Sequence, residues 1–133
     1  MKALIIIERG QDGTYSAYPA KLNTTIIGEG ETAEAAKADF LNSYEEIKQY
    51  YLEVGEEMPA ELKDLDFEYR YDLAAFFNSF DFINVSKFAK AVGVEPSLMR
   101  HYKIGDAGIS TKQKRKIERG LHSLARELQN VTL

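Results

Sequence analysis

The 133-residue sequence contains no cysteine and only two histidines, His101 and His122. The lack of cysteine excludes disulfides and thiolate metal sites, and favours a reducing, cytoplasmic location. A metal site needs three or four converging ligands. The two histidines lie on different predicted helices with no carboxylate at ligand spacing. We therefore expect no metal and no cofactor.

Long apolar runs are also scarce. The run at residues 3–7 has five apolar residues. It is too short for the core of a signal peptide or for a membrane span, so we expect no membrane partner.

The sequence offers little for catalysis. Glu8 and Asp12 are the only obvious acids at strand ends, and Asp12 fits a turn better. Gly28 and Gly30 lack the continuation of a phosphate-binding loop. No serine or threonine has a nearby base that would complete a triad. We therefore expect a protein that is not an enzyme.

The net charge of −4 hides an uneven distribution. Residues 1–71 hold 7 Lys+Arg and 15 Asp+Glu, which gives −8, whereas residues 72–133 hold 10 and 6, which gives +4. A basic half suits nucleic acid, and an acidic half suits a basic protein partner. The change of sign predicts two domains, residues 1–71 and 72–133.

The first half has the apolar patterning of a small α+β unit. Apolar patterning predicts strands at residues 2–9, 14–18, 24–28 and 66–71, and a helix at 33–54. Asp12 and Gly13 supply a hairpin turn. Thr32 is the expected N-cap of the helix and Gly55 its C-cap. The predicted order is β-β-β-α-β.

The second half has the pattern of a helix-turn-helix. Helices are predicted at residues 73–80, 84–92, 95–103 and 111–129. Ala89 is small where two helices cross, and Gly93 follows four residues later, where the chain must turn. Met99 and Tyr102 then fall on the inner face of the second helix of the motif. The prediction is an all-α DNA-binding domain.

The outer face of that helix carries the candidate DNA-binding residues. Ser97, Arg100 and His101 are expected to face bases in the major groove. Four further residues are expected to contact phosphates: Lys87, Lys103, Ser110 and Lys112. Because one such motif covers too few base pairs for a unique site, we expect a homodimer or a higher even oligomer.

Residues 28–35, Gly-Glu-Gly-Glu-Thr-Ala-Glu-Ala, lead into the long helix, and residues 109–113, Ile-Ser-Thr-Lys-Gln, follow the helix-turn-helix. With the hairpin sheet, this arrangement resembles the HicB family of antitoxins. The resemblance implies a degraded RNase H-like N-terminal fold and a HicA-type ribonuclease toxin as partner. It also implies binding to a double-stranded DNA operator, which represses the operon of the pair.

A second interpretation remains open from the residues alone. The chain would then be a stand-alone transcription regulator whose N-terminal domain binds a small ligand or only dimerises. A short, basic neighbouring reading frame, with one histidine in a pattern like that of double-stranded-RNA-binding domains, favours the antitoxin. Its absence favours the regulator.

Overall fold

The structure, a computed structural model, describes residues 2–133. It divides into two compact units, the first ending at Ser79 and the second running from Phe80 to Leu133. Among the described residues, no helix combines the length and the apolar character needed to cross a membrane. The two units are described in turn.

Unit 1 is built on a mixed four-stranded sheet. Its strands are β1 (Lys2–Arg9), β2 (Tyr15–Pro19), β3 (Gly28–Gly30) and β4 (Asp66–Tyr71), in the spatial order β3-β2-β1-β4. The first three are antiparallel neighbours, and β4 runs parallel to β1. A long helix, α1 (Ala33–Val54), and a short 3₁₀ turn (Ala60–Leu62) make the connection from β3 to β4, as parallel strands require. The predicted β-β-β-α-β order and the α+β class are confirmed.

Helix α1 begins and ends where its caps predict. The Thr32 hydroxyl accepts a hydrogen bond from the Ala35 N–H, and Gly55 adopts the left-handed conformation at φ 69°. The helix buries Ala36, Phe40 and Tyr44 against the β1 residues that point to the same side of the sheet. Alternate residues of β1 therefore enter the core, as the pleat of a strand requires.

Strand β3 differs from its prediction, which placed it at residues 24–28. The N–H and hydroxyl of Thr24 both donate to the Glu61 carboxylate, at 3.2 and 2.9 Å, which holds this stretch against the 3₁₀ turn. The strand instead begins at Gly28, where a Cβ would lie 2.3 Å from the Ala36 carbonyl oxygen. Only glycine permits this approach of β3 to α1.

The second helix, α2 (Leu73–Ser79), belongs to unit 1 and not to the half that was predicted to bind DNA. The Asp72 N–H donates to the Ile7 carbonyl at 2.9 Å, continuing the β1–β4 ladder. The Asp72 carboxylate caps α2 through the Ala75 N–H at 2.7 Å, and Ala75 is fully buried in the core of the sheet. The structure therefore divides after residue 79, eight residues later than the change of charge predicts.

Unit 2 contains three helices, α3 (Val85–Val92), α4 (Pro96–Ile104) and α5 (Thr111–Gln129). All three lie within a residue or two of their predicted positions. The buried side chains of this unit come from the three helices and from Val94 in the turn after α3; the helical ones are Val85, Phe88, Ala89, Met99, Tyr102 and Ile117. Beyond Ile117 the apolar stripe of α5 is half-buried at Leu121 and Leu124, and Leu128 is exposed.

Candidate nucleic-acid interface

The turn between α3 and α4 is fixed by local backbone chemistry. Gly93 has φ +80°, and the Val94 N–H donates to the Ala89 carbonyl at 2.9 Å, which closes the end of α3. Ala89 itself has no exposed surface. A small residue at this point lets α4 cross close to α3, and glycine supplies the left-handed conformation that redirects the chain.

Helix α4 separates its side chains as predicted. Met99 and Tyr102 are buried, at 0% and 5% exposure. Ser97, Arg100 and His101 are exposed. Pro96 stands in the first turn, where a missing N–H breaks no helical hydrogen bond. The apolar side thus anchors the helix, and the polar side is presented to solvent.

The three residues predicted to face bases have different neighbours. The Arg100 guanidinium donates to the Ser86 hydroxyl at 2.8 Å, and the Ser97 hydroxyl lies 3.4 Å from the Glu95 carboxylate. His101 Nδ1 is 2.9 Å from the Asp106 carboxylate. A neutral hydroxyl leaves the Arg100 charge uncompensated, whereas the acid beside His101 offsets the attraction of that ring for DNA. Arg100 is therefore the strongest candidate of the three.

The predicted phosphate contacts are less uniform. Lys87 and Lys112 are exposed, near the starts of α3 and α5, whereas Lys103 is half-buried. The Ser110 hydroxyl caps α5 by accepting from the Gln113 N–H at 3.1 Å. Its own proton stays available to a phosphate oxygen, since a hydroxyl both donates and accepts.

Helix α5 is held against the turn by a side chain that was not among the predicted site residues. The Lys116 ammonium donates to the Gly93 carbonyl at 2.6 Å. A cation at the carbonyl end of α3 is favourable because of the helix dipole. The sequence shows Lys116 only as one cation of the basic run at residues 112–119. It does not show the contact with Gly93, which lies 23 residues away and is brought close by tertiary packing.

Unit 2 is basic as a whole. Residues 80–133 hold 10 Lys+Arg and 5 Asp+Glu, a balance of +5, and residues 1–79 hold 7 and 16, a balance of −9. The exposed cations near the starts of α3 and α5 thus lie on a unit whose overall charge attracts a polyanion.

The two acids that the sequence places at strand ends, Glu8 and Asp12, both accept hydrogen bonds within unit 1. Glu8 accepts a hydrogen bond from the Tyr18 hydroxyl, and Asp12 accepts one from the Thr14 N–H at 2.9 Å within the hairpin turn. Across residues 2–133 no group of three or more histidine or acidic side chains is placed to hold a metal ion. A groove of about 580 Å³ lies between α1 and residues 24–27, the segment before β3, and is lined in part by Ile27, Ile47 and Tyr51.

Similarity to known proteins does not assign a function to either unit. Comparison of the chain with models of protein families, with curated proteins and with solved structures gives no match.

Proposed function

We propose that the chain is an antitoxin with two binding surfaces. Unit 2 binds double-stranded DNA as a helix-turn-helix, and unit 1 binds and neutralises a small ribonuclease toxin of the HicA type. The observation that carries the proposal is the α3–α4 pair, with Ala89 and Met99 inside, Gly93 in the left-handed turn and Arg100 outside. This is the arrangement that a recognition helix needs.

In the proposed complex, α4 lies in the major groove. Arg100 leaves Ser86 and donates two hydrogen bonds to a guanine, the commonest specific contact of an arginine. Ser97 is one turn away on the same face. Lys87, Ser110 and Lys112 contact the phosphates on either side, and these contacts set position rather than sequence preference. Glu95 at the start of α4 repels phosphate and so disfavours a misplaced docking.

Unit 1 is proposed to be a degraded RNase H-like domain. The order β3-β2-β1-β4, with three antiparallel strands and a parallel fourth, supports this assignment. The hydrogen bonds of Glu8 and Asp12 are those of structural residues. The charge of −9 over residues 1–79 complements a basic RNA-binding toxin, and such complementarity mainly speeds association and selects the partner.

The groove beside α1 favours one alternative, a stand-alone regulator that binds a small apolar ligand in unit 1. Its volume of about 580 Å³ is within the range of small-molecule sites. Ile27 and Tyr50, which line it, are each about half exposed or more. An open groove of this kind buries less of a ligand than a typical pocket does, so the antitoxin is the preferred function.

Co-expression with the product of the adjacent short reading frame tests the proposal. A tagged full-length chain and a tagged 1–79 fragment are expected to retain the untagged neighbour through purification. The matched control, a tagged 80–133 fragment, is expected to lose it. If the neighbour is never retained while the full-length chain binds its upstream DNA, the regulator replaces the antitoxin.

A further inference from the structure

Strand β4 forms one edge of the sheet. One hydrogen bond shows which of its residues point their backbone N–H and C=O groups toward β1. The Asp72 N–H donates to the Ile7 carbonyl, so residue 72 turns its backbone groups toward β1. Backbone groups of successive residues alternate in direction along a strand. Arg70 and Glu68 therefore also turn toward β1, whereas Tyr69 and Phe67 turn their N–H and C=O groups toward the outer edge.

The side chains of β4 alternate between the two faces of the sheet. Phe67 and Tyr69 are half-buried and face α1, where the Phe67 ring packs edge-on against Phe40 at 5.3 Å and Tyr69 lies under the Lys37 ammonium at 4.8 Å. Glu68 and Arg70 are exposed on the opposite face of the sheet. The edge thus offers outward backbone groups, a fixed aromatic row on one side, and on the other two acids, Asp66 and Glu68, with Arg70.

The opposite edge of the sheet is arranged differently. Strand β3 has three residues, and the Glu29 N–H already donates to the Asp39 carboxylate of α1 at 2.9 Å. Strand β4 has six residues and contains no proline. An edge strand of this length presents a row of outward backbone N–H and C=O groups, which is a template for pairing with another strand.

We propose that β4 pairs antiparallel with β4 of a second copy of this chain, with Tyr69 on the twofold axis. In this register Glu68 faces Arg70 of the second copy and Arg70 faces Glu68, so the pair gains two opposite-charge contacts near its centre. Asp66 and Asp72 face each other at the two ends, where Asp72 lies beyond the strand and its carboxylate caps α2. The two Tyr69 residues exchange two backbone hydrogen bonds, because both turn those groups outward. The result is a continuous eight-stranded sheet.

Charge disfavours the two neighbouring registers in which the outward backbone groups of the two strands still meet. With Glu68 on the axis, the two Glu68 side chains face each other at the centre, between two contacts of Asp66 with Arg70. With Arg70 on the axis, the two Arg70 side chains face each other and Glu68 faces Asp72. Like charges directly opposite destabilise a strand pair. The inference depends on the edge of unit 1 alone, and it holds whether or not the proposed DNA and toxin binding is correct.

Disulfide trapping on the full-length chain tests both the pairing and its register. The protein has no cysteine, so E68C and R70C each introduce a single thiol. Residues 68 and 70 point their backbone N–H and C=O groups toward β1 and away from the second copy. Residue 68 of one copy and residue 70 of the other therefore form a non-hydrogen-bonded pair. Such Cα atoms lie about 4.5 Å apart, within disulfide range. Identical residues are diagonal neighbours about 7–8 Å apart.

The two variants are expressed separately, and also together with tags of different length, and are then oxidised mildly. The exposed α1 position E53C serves as the control thiol. We expect the mixed E68C–R70C dimer to form at least roughly tenfold faster than either same-residue dimer or the control. Faster E68C or R70C self-linking, or rates equal to the control, overturns the proposed pairing.

Discussion

Tyr18 and Glu8 form a polar pair on the face of the sheet opposite α1, where Tyr18 is half-buried. Ile6 stands opposite Tyr18 in the β1–β2 register, so Glu8 is its diagonal neighbour, within reach of a long side chain. The Tyr18 hydroxyl donates to the Glu8 carboxylate. Burial, this hydrogen bond and the negative charge of Glu8 together raise the pKa of Tyr18 from 10.0 to about 12.

The substitution E8Q is expected to lower the pKa of Tyr18 without restoring its ordinary value. An amide removes the charge and weakens the hydrogen bond, while burial, the largest cause, remains. An NMR titration of the assigned Tyr18 ring measures the pKa. The exposed substitution E53Q is the control and is expected to leave it unchanged. An unaltered pKa in E8Q contradicts the role given to Glu8.

The same pair predicts how stability depends on pH. The folded state keeps the Tyr18 proton up to about pH 12, whereas the unfolded chain releases it near pH 10. The stabilisation is therefore complete below pH 10 and is lost as pH rises through 12. In urea titrations, E8Q is expected to reduce the loss of stability over this window.

Between elements, the contact of α5 with α3 depends on a glycine inside a helix. A Cβ at Gly120 would lie 2.3 Å from Val92 Cγ1 and 2.7 Å from Val92 Cβ. Val92 is the last residue of α3, and its branched side chain is stiff. The hydrogen atom of Gly120 lets the two helices approach, which is why a residue of low helix propensity occupies this position.

The substitution G120A is expected to destabilise unit 2 by about 1–2 kcal/mol. Alanine would normally stabilise a helix interior by about 0.5–1 kcal/mol, but overpacking costs about 1–3 kcal/mol. Urea unfolding of the four members of a G120A and V92A cycle measures the coupling. V92A removes the 2.3 Å contact with Cγ1 but keeps the 2.7 Å contact with Cβ, so in this background G120A is expected to cost less and to remain destabilising. Equal effects of G120A in both backgrounds contradict the close contact.

Most elements could be predicted from the sequence because their ends are set by neighbouring residues. Thr32, Asn84 and Ser110 cap their helices through N–H groups three residues ahead, and Gly93 ends α3 by its own conformation. The prediction for strand β3 was wrong at residues 24–27 because Thr24 donates its hydrogen bonds to Glu61, 37 residues along the chain. The periodicity of apolar residues does not reveal a contact between residues so far apart in the sequence.

At the scale of the molecule, acidic and basic residues are segregated between the two units, and the charge alone locates the boundary only approximately. The sign changes near residue 71, but α2 is packed by Ala75 into the core of unit 1. The apolar residues of α2 predict that it is buried, and they do not identify the core that buries it. The same limit applies to the candidate site, where the exposed face of α4 was predictable and the partners of Arg100 and His101 were not.

The central claim is that unit 2 recognises a DNA sequence through Arg100. Fluorescence anisotropy of the full-length chain on its own upstream DNA, beside a scrambled duplex of equal composition, tests it most directly. We expect a preference for the upstream duplex. The R100A variant should lose about 1–3 kcal/mol on that duplex, roughly 5- to 150-fold, and little on the scrambled one. Arg126, exposed in the last turn of α5, provides the matched control R126A, which should keep the preference. Equal affinity of the wild-type chain for both duplexes, or an R100A variant as selective as R126A, contradicts the claim.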